Sequence, residues 1–419
     1  MPNLSRRAAM LLPLAIPVAV PTVARAAEGG PVLIGATYPL SGAVASAGDE
    51  MKAAIEVGED IINNPHPELK NLPLGPTAGL PNLGGRKVKT IFADHQGNPA
   101  MAQSETLRLI TQDRVVAMVG AYQSNCTLTS SAVAERYGIP FVAGESTAPS
   151  LTERGYKWFF RVTPYGSIFG MAYADFLAGL RSGGQKINGV TLVNENTEYG
   201  SSTGDAIIAA LKAQNFKLLS RITYNANSPD VSAQVLQMKQ QQPDVVIFVS
   251  YTSDSILYIK TMHNLNYKPP ILIGDDSGFS DPDFVNAVGH LAQGALNRSS
   301  FDIGKPGGNS YLVNQLFKRQ VGRNLDDTSA RSMQSFLVLC DAINRAGSVE
   351  PSKIRAALKA TDLRPAQLMI GYDGVKFNAK GQNELASTLL VQLQGAQYVA
   401  IWPARAATAK LELPFRGWT

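Results

Sequence analysis

The sequence predicts an α/β protein of two doubly wound lobes, each built on a mostly parallel sheet. Three observations predict it. Short continuous apolar runs, such as 115–119 and the centre of the strand at 244–250, read as strands covered on both faces. Those runs alternate with helical patterns of 3.6 periodicity. The alternation occurs in two separate series, one over 32–143 and one over 189–274, as two α/β layers require.

Taken in order, a strand is predicted at 32–37, then the turn Tyr38-Pro39-Leu40-Ser41-Gly42. A helix over 49–63 follows, with Met51, Ala54, Ile55, Gly58, Ile61 and Ile62 on one face. Residues 64–86, rich in Pro, Gly, Leu and Asn, have no period and read as a surface insertion longer than a typical connection. A strand at 88–93 precedes Asn98-Pro99, the N-cap and first residue of a helix to about 112. The strand at 115–119 ends at Gly120. Ser124, Asn125, Cys126 and Thr127 then open a helix, and a strand at 139–143 leads into Gly144-Glu145-Ser146-Thr147. Two consecutive strand ends thus bring hydroxyls and free N–H groups to one sheet edge, where open α/β sheets hold small ligands. A helix N-terminus at that edge suits a carboxylate.

An extended run at 157–162 and a helix over 165–181 begin the second half. Strands at 189–194, 217–224, 244–250 and 270–274 alternate with helices over 199–214, 229–241 and 253–265. A short helix from Pro282, an extended run at 294–300 and helices over 310–321, 328–346 and 351–360 come next. The tail, 368–402, reads as antiparallel strands closing one lobe. No repeat of a fixed period appears.

Composition narrows the function classes. The chain has 419 residues, 45% apolar and 17% charged, with a formal net charge of +5. That is an ordinary globular composition with ample core. Arg6, Arg7 and Arg25 supply part of the positive excess, and no basic stripe with interleaved aromatics suggests nucleic acid. Residues 1–26 read as an export leader: Ser5-Arg6-Arg7 is a twin-arginine start, an apolar run covers 10–24, and Ala24-Arg25-Ala26 fits the cleavage pattern. The run is about 15 residues, short of a span, and Pro13, Pro17 and Pro21 interrupt it. The expected location is the periplasm, reached by the twin-arginine or the general secretory route. Cys126 and Cys340 read as two buried small side chains rather than a disulfide. There is no Gly-x-Gly-x-x-Gly after the first strand and no Walker-type loop. His66, His95, His263 and His290 have no ligand-like spacing, and the Asp275-Asp276 and Asp281/Asp283 pairs do not make a calcium loop. Neither metal nor cofactor is expected, and no enzyme.

Several stretches are similar to one family. Pro39-Leu40-Ser41-Gly42 with Gly48-Asp49, Val119-Gly120 before the 124–127 cluster, and Ser146-Thr147-Ala148-Pro149 leading to 151–156 carry the resemblance. So do Tyr199-Gly200 and Gly274-Asp275-Asp276. The chain resembles the type I solute-binding proteins of ABC importers, the branched-chain amino-acid-binding family, over essentially the whole mature length. The resemblance implies a hinge of three crossovers and a ligand trapped between the lobes. It implies a first lobe of 31–163 plus 277–364, carrying the 64–86 insertion, and a second lobe of 164–276 plus 365–419. It also implies a membrane permease as partner and a monomer.

The family's binding positions fall on strand ends already placed. Ser124 would donate its hydroxyl to a ligand carboxylate, and the backbone at Glu145 with the hydroxyl and N–H of Thr147 would complete that cradle. Asp276 falls where the family places an acid for the ligand's ammonium group. Tyr199 and Tyr251 would cover the ligand from the second lobe. Tyr122, Ser146 and Phe279 are weaker candidates. Each has a plainer reading: helix caps for Ser124 and Thr127, turn hydroxyls at 146–147, a turn acid for Asp276, core or surface aromatics for the others, an exposed loop acid for Glu145. Two departures bear on the ligand. Ala47 stands before Gly48 where an aromatic residue is common, which leaves room for a larger side chain. Glu145 stands where a small residue is usual, and a carboxylate there repels another unless it points away or meets a ligand cation. The expected ligand is a small amino acid. The alternatives are an aromatic acid, an amide or a urea-like solute without an ammonium group, and a secreted enzyme or a receptor-linked sensor using the same cleft.

Overall fold

The computed structural model describes residues 29–418, so the predicted leader lies outside it. In chain order the elements are β1 (Val32–Tyr38), α1 (Ala45–Asn63), β2 (Val88–Asp94), α2 (Pro99–Thr111), β3 (Ala117–Gly120), α3 (Ser124–Tyr137), β4 (Phe141–Ala143) and β5 (Phe159–Arg161). Next come α4 (Gly166–Ser182), β6 (Val190–Glu195), α5 (Glu198–Ala213), β7 (Leu218–Tyr224), α6 (Ser232–Gln241), β8 (Val245–Val249), α7 (Thr252–Asn264) and β9 (Ile271–Asp275). The chain ends with α8 (Ser277–Ser280), α9 (Pro282–Val288), β10 (Leu296–Ser299), α10 (Asn309–Val321), α11 (Asp327–Ala346), α12 (Pro351–Lys359), β11 (Asp362–Leu363), β12 (Val375–Lys376), β13 (Leu389–Gln394) and β14 (Gln397–Trp402).

Two large sheets carry most of these elements, and β11 and β12 form a separate antiparallel pair. The first is parallel, in the order β2-β1-β3-β4-β5. The second runs β14-β13-β10-β9-β8-β6-β7, parallel from β10 to β7 and antiparallel at the β13–β14 edge. The buried parallel strands are nearly all apolar, because helices cover both faces. The local signals act as expected. Asn98 caps α2 by accepting from the Ala100 and Met101 N–H groups, with Pro99 at the first helical position.

Three expectations need correction. Residues 277–299 belong with the second sheet, since β10 pairs with β9 and β13. The extended run 294–300 reads alike in either lobe, and only the pairing partner decides. Residues 381–383 instead extend the first sheet, where Gln382 bridges Arg161 and the Asn383 side-chain amide donates to the Val162 carbonyl at 3.0 Å. The chain therefore passes between sheets after β5, after β10 and before β13. The insertion 64–86 is not merely on the surface. Leu69, Leu72, Leu74 and Leu80 are buried and join the main core.

Helix α11 holds the centre. It packs against α1 and over β3 and β4, and every residue from Asp327 to Ile343 is buried. An Asp326–Ser329 capping box starts it. Cys340 on α11 and Cys126 on α3 are buried free thiols, and burial pushes the Cys126 thiol up to about 12.

Candidate functional site

The first lobe's half of the site is two turns at the carboxyl ends of β3 and β4. Gly120 closes β3 with φ +128°, and a Cβ there would lie 2.4 Å from the Thr37 carbonyl oxygen. Only glycine lets the strands converge that tightly. Tyr122 follows at φ +65°, a left-handed conformation costly for an aromatic residue. Helix α3 then begins at Ser124. The turns are stitched together by side chains. Ser146 Oγ donates to the Tyr122 carbonyl at 2.8 Å and hydrogen-bonds Thr127 Oγ1, which accepts from the Ala121 N–H. Ser124 Oγ accepts from the Ala148 N–H at 3.3 Å. Behind them His95 Nε2 lies 3.0 Å from the Ala121 carbonyl, while Nδ1 accepts from the Gly97 N–H. That pattern requires the neutral Nε2–H tautomer, and burial lowers the His95 pKa to about 4. The hydroxyls of Ser146 and Thr127 are thus spent on architecture. Thr147 Oγ1 is buried without a hydrogen-bond partner.

The second lobe contributes Tyr199 and Tyr251, at the starts of α5 and α7. Their rings lie 5.3 Å apart, and the Tyr251 ring lies 5.9 Å from Tyr122 across the lobes. Tyr199 Oη donates to the Asp275 carbonyl at 2.6 Å and to its Oδ2 at 2.8 Å, while Tyr173 Oη donates to Oδ1. Gly200 lets α5 start directly over β6, since a Cβ there would lie 2.1 Å from the Glu195 carbonyl oxygen. Phe279 does not join this group. Its ring packs in the second lobe's core, against Phe248 and Phe284.

Asp276 is also placed differently from the expectation that it meets a ligand ammonium group. It sits at φ +57°, with its N–H donating to Asn297 Oδ1. Arg298 Nη2 is 2.6 Å from Asp276 Oδ2, and Arg331 Nη2 donates to the same oxygen. Ser280 Oγ approaches Oδ1 at 3.4 Å. Burial opposes the charge of Asp276, but the two guanidiniums outweigh it and lower its pKa. Arg331 also meets Asp327 Oδ2 through Nε at 3.0 Å, and Arg298 meets Asp275 at 3.4 Å while lying 3.5 Å over the Phe169 ring. Burial raises Asp327 to about 6 against the pull of Arg331. Arg331 stands on α11 of the first lobe, so it ties that helix to the β9 end of the second.

Glu145 is not an exposed loop acid. It is 3% exposed, and its Oε1 accepts from Tyr38 Oη at 3.0 Å and from Ser332 Oγ. Its backbone carbonyl accepts from Arg331 Nη1 at 3.1 Å. Oε2 has no partner, and burial raises the Glu145 pKa.

Ser124, Glu145, Ser146, Thr147, Tyr122, Tyr199 and Tyr251 are therefore gathered near the contact between the lobes. Sequence reasoning missed Tyr38, Asp275, Arg298, Arg331 and Ser332. A usable signal existed for the arginines: each is a charge inside an otherwise buried strand or helix pattern, which demands a buried partner. Ala47, buried in α1, belongs to the main core. Among the described residues no group of three or more His, Cys, Asp or Glu is placed to hold a metal ion, and no helix is long and apolar enough to cross a membrane.

Comparison with known proteins places this architecture. A relative from Brucella suis biovar 1, named Leu/Ile/Val-binding protein homolog 8, is 29% identical over 423 residues, covering 97% of this chain and 99% of its own. Among solved structures, the branched-chain amino acid transporter substrate-binding protein LivJ from Streptococcus pneumoniae, in complex with isoleucine, superposes with a TM-score of 0.74 at 18% identity. It covers 92% of this chain and 100% of that one. A solute-binding protein of an ABC transporter from Rhodopseudomonas palustris BisB5, in complex with 3,4-dihydroxybenzoic acid, gives 0.73 at 15% identity, covering 91% and 98%. Both share the two-lobed α/β fold of type I periplasmic binding proteins. The family model described as periplasmic binding protein matches residues 31–396. The chain belongs to the periplasmic binding protein family, a family of solute-binding proteins.

Proposed function

We propose that this protein is the exported substrate-binding component of an ABC importer, taking a small amino acid, branched-chain or related, between its lobes and delivering it to a membrane permease. It acts as a monomer, by binding alone, without chemistry on the ligand. One observation carries the reading. The two first-lobe turns meet the second lobe's tyrosines at aromatic contact distance, Tyr122 to Tyr251, beside a buried Thr147 hydroxyl that has no partner. A ligand carboxylate at the start of α3 would gain the helix N-terminus and the hydroxyls of Ser124 and Thr147. Tyr199 and Tyr251 would touch that ligand only when the lobes are together, so binding favours closure. Export follows from the leader at 1–26, by the twin-arginine or general secretory route.

A second reading is favoured by Asp276. Arg298 and Arg331 both pair with its Oδ2, and Ser280 approaches Oδ1, so its charge is already compensated before an ammonium group arrives. The same cleft would then hold an aromatic acid, an amide or a urea-like solute. A thermal-shift screen of amino acids, aromatic acids and amides on the mature protein separates the two, because a tight ligand raises the melting temperature. For the ligand found, Ser124→Ala and Thr147→Val should each weaken binding by about 1–2 kcal/mol, roughly 5- to 30-fold. Unchanged affinity in both, measured by calorimetry, sinks the site.

A further inference from the structure

The inter-lobe acids can be accounted for oxygen by oxygen. Asp275 accepts from Tyr173 and Arg298 at Oδ1 and from Tyr199 at Oδ2. Asp276 is held by Arg298 and Arg331 at Oδ2 and approached by Ser280 at Oδ1. Asp327 accepts from Ser299 and the Ser300 N–H at Oδ1 and pairs with Arg331 Nε at Oδ2. Asp281 accepts from Ser46, Thr252 and the Asp283 N–H. Glu195 accepts from Thr197 and the Gly200 N–H. Glu145 alone in this group has a buried carboxylate oxygen, Oε2, without a partner, while Tyr38 and Ser332 fix the other oxygen and so fix the carboxyl group.

Charge runs the same way. The buried cluster sets two guanidiniums, Arg298 and Arg331, against three carboxyl groups, Asp275, Asp276 and Asp327, before Glu145 is added. Arg331 lies beside Glu145, yet it contacts the backbone carbonyl and directs its side-chain pairing to the aspartates. A further anion gains nothing beside Glu145, whereas an N–H donor satisfies an orphaned acceptor and offsets uncompensated negative charge. Glu145 is also two residues from Thr147, in the same turn.

We propose that Glu145 selects the ligand by accepting a hydrogen bond from its N–H-bearing group, an ammonium or a carboxamide, so that both polar ends of the solute are held by the first lobe. The inference rests on the solute-binding reading above and assigns the donor site to Glu145 in place of Asp276. Solutes whose only polar group is a carboxylate are rejected.

The test is calorimetry on the mature protein with the twenty L-amino acids, their 2-oxo acids and short aliphatic amides, on native protein, Glu145→Gln and Glu145→Ala. Native protein should bind an amino acid or an amide and bind 2-oxo acids at least tenfold more weakly. Glu145→Gln keeps an oxygen for Tyr38 and Ser332. It should lose tenfold or more toward an ammonium ligand but threefold or less toward an amide, and Glu145→Ala should lose tenfold or more toward either. Native binding of a 2-oxo acid as tightly as its amino acid overturns the inference and needs no variant. So does native-like affinity in both variants, and the solute-binding reading then stands. If none of these binds native protein but an aromatic acid or a urea does, the inference fails and the solute-binding reading stands; if those fail as well, both fail.

Discussion

The turn after β3 and the turn after β9 occupy corresponding places, each at the carboxyl end of a parallel strand in its own lobe. Each also holds a non-glycine residue at positive φ, Tyr122 at +65° and Asp276 at +57°. Their chemistry is opposite. The first is neutral, made of hydroxyls and backbone groups, with Thr147 Oγ1 left without a partner beside it. The second is charged and saturated: Asp276 and Asp275 are held by Arg298, Arg331 and two tyrosine hydroxyls. Strain of this kind persists where the surroundings over-determine the backbone, and the two turns use it differently. The first leaves the Thr147 hydroxyl unpartnered. The second locks the lobes' framework together through α11.

The largest expected effect breaks the locked side. Arg331→Ala leaves Asp276 and Asp327 with one guanidinium between them in a dry interior, and removes the donor to the Glu145 carbonyl. Breaking a buried ion pair from one side typically costs about 3–5 kcal/mol. Urea unfolding should show a loss of that order, against a change within about 0.5 kcal/mol for Thr147→Val. If Arg331→Ala costs less than about 1 kcal/mol, the second turn is not a lock and the contrast between the turns collapses.

The next effect sharpens the neutral side. His95 supports the first turn as a neutral imidazole, with its pKa lowered to about 4 by burial. The unfolded chain has a His pKa near 6.5, so between roughly pH 6.5 and 4 it binds a proton that the folded chain refuses. Stability therefore falls as pH drops through that window, by up to about 3 kcal/mol at its lower end. His95→Gln should flatten this slope in denaturation measured at pH 7, 5.5 and 4.5. A slope as steep as native in the variant would mean that other groups carry it.

What the sequence made legible divides along the same line. The strands and helices at 115–143, the turn hydroxyls and the tyrosines at the starts of α5 and α7 were readable because each signal is local: an apolar run, a glycine, a helix start. The lobe assignment of 277–299 was not, because β10 is defined by its neighbours β9 and β13. The pairing of Asp276 is hidden for the same reason. Its partners stand 22 and 55 positions further on, at Arg298 and Arg331, and nothing at 274–277 reveals that its charge is already neutralised. Glu145 was visible as an anomaly, but Tyr38 and Ser332, which hold it, lie over a hundred positions away on either side.

The smallest effect probes how the halves meet. Ser150 Oγ of the first lobe donates to Glu198 Oε1 at the start of α5 at 2.6 Å, and Ser46 Oγ donates to Asp281 Oδ1 at 2.9 Å. Both bonds join the lobes without a ligand. Each is half-buried, so its net worth is about 0.5–1.5 kcal/mol. Removing one should destabilise only the closed arrangement, because neither serine supports a lobe's own core. Ser150→Ala should therefore leave the urea midpoint unchanged. It should lower affinity by roughly two- to tenfold, since the ligand must then supply the closing energy that the bond contributed. Small-angle scattering of the unliganded protein should show a larger radius of gyration in the variant. A compact variant with native affinity would mean that the tyrosine contact and Arg331 alone hold the lobes together, which places the closing force on the saturated side of the comparison.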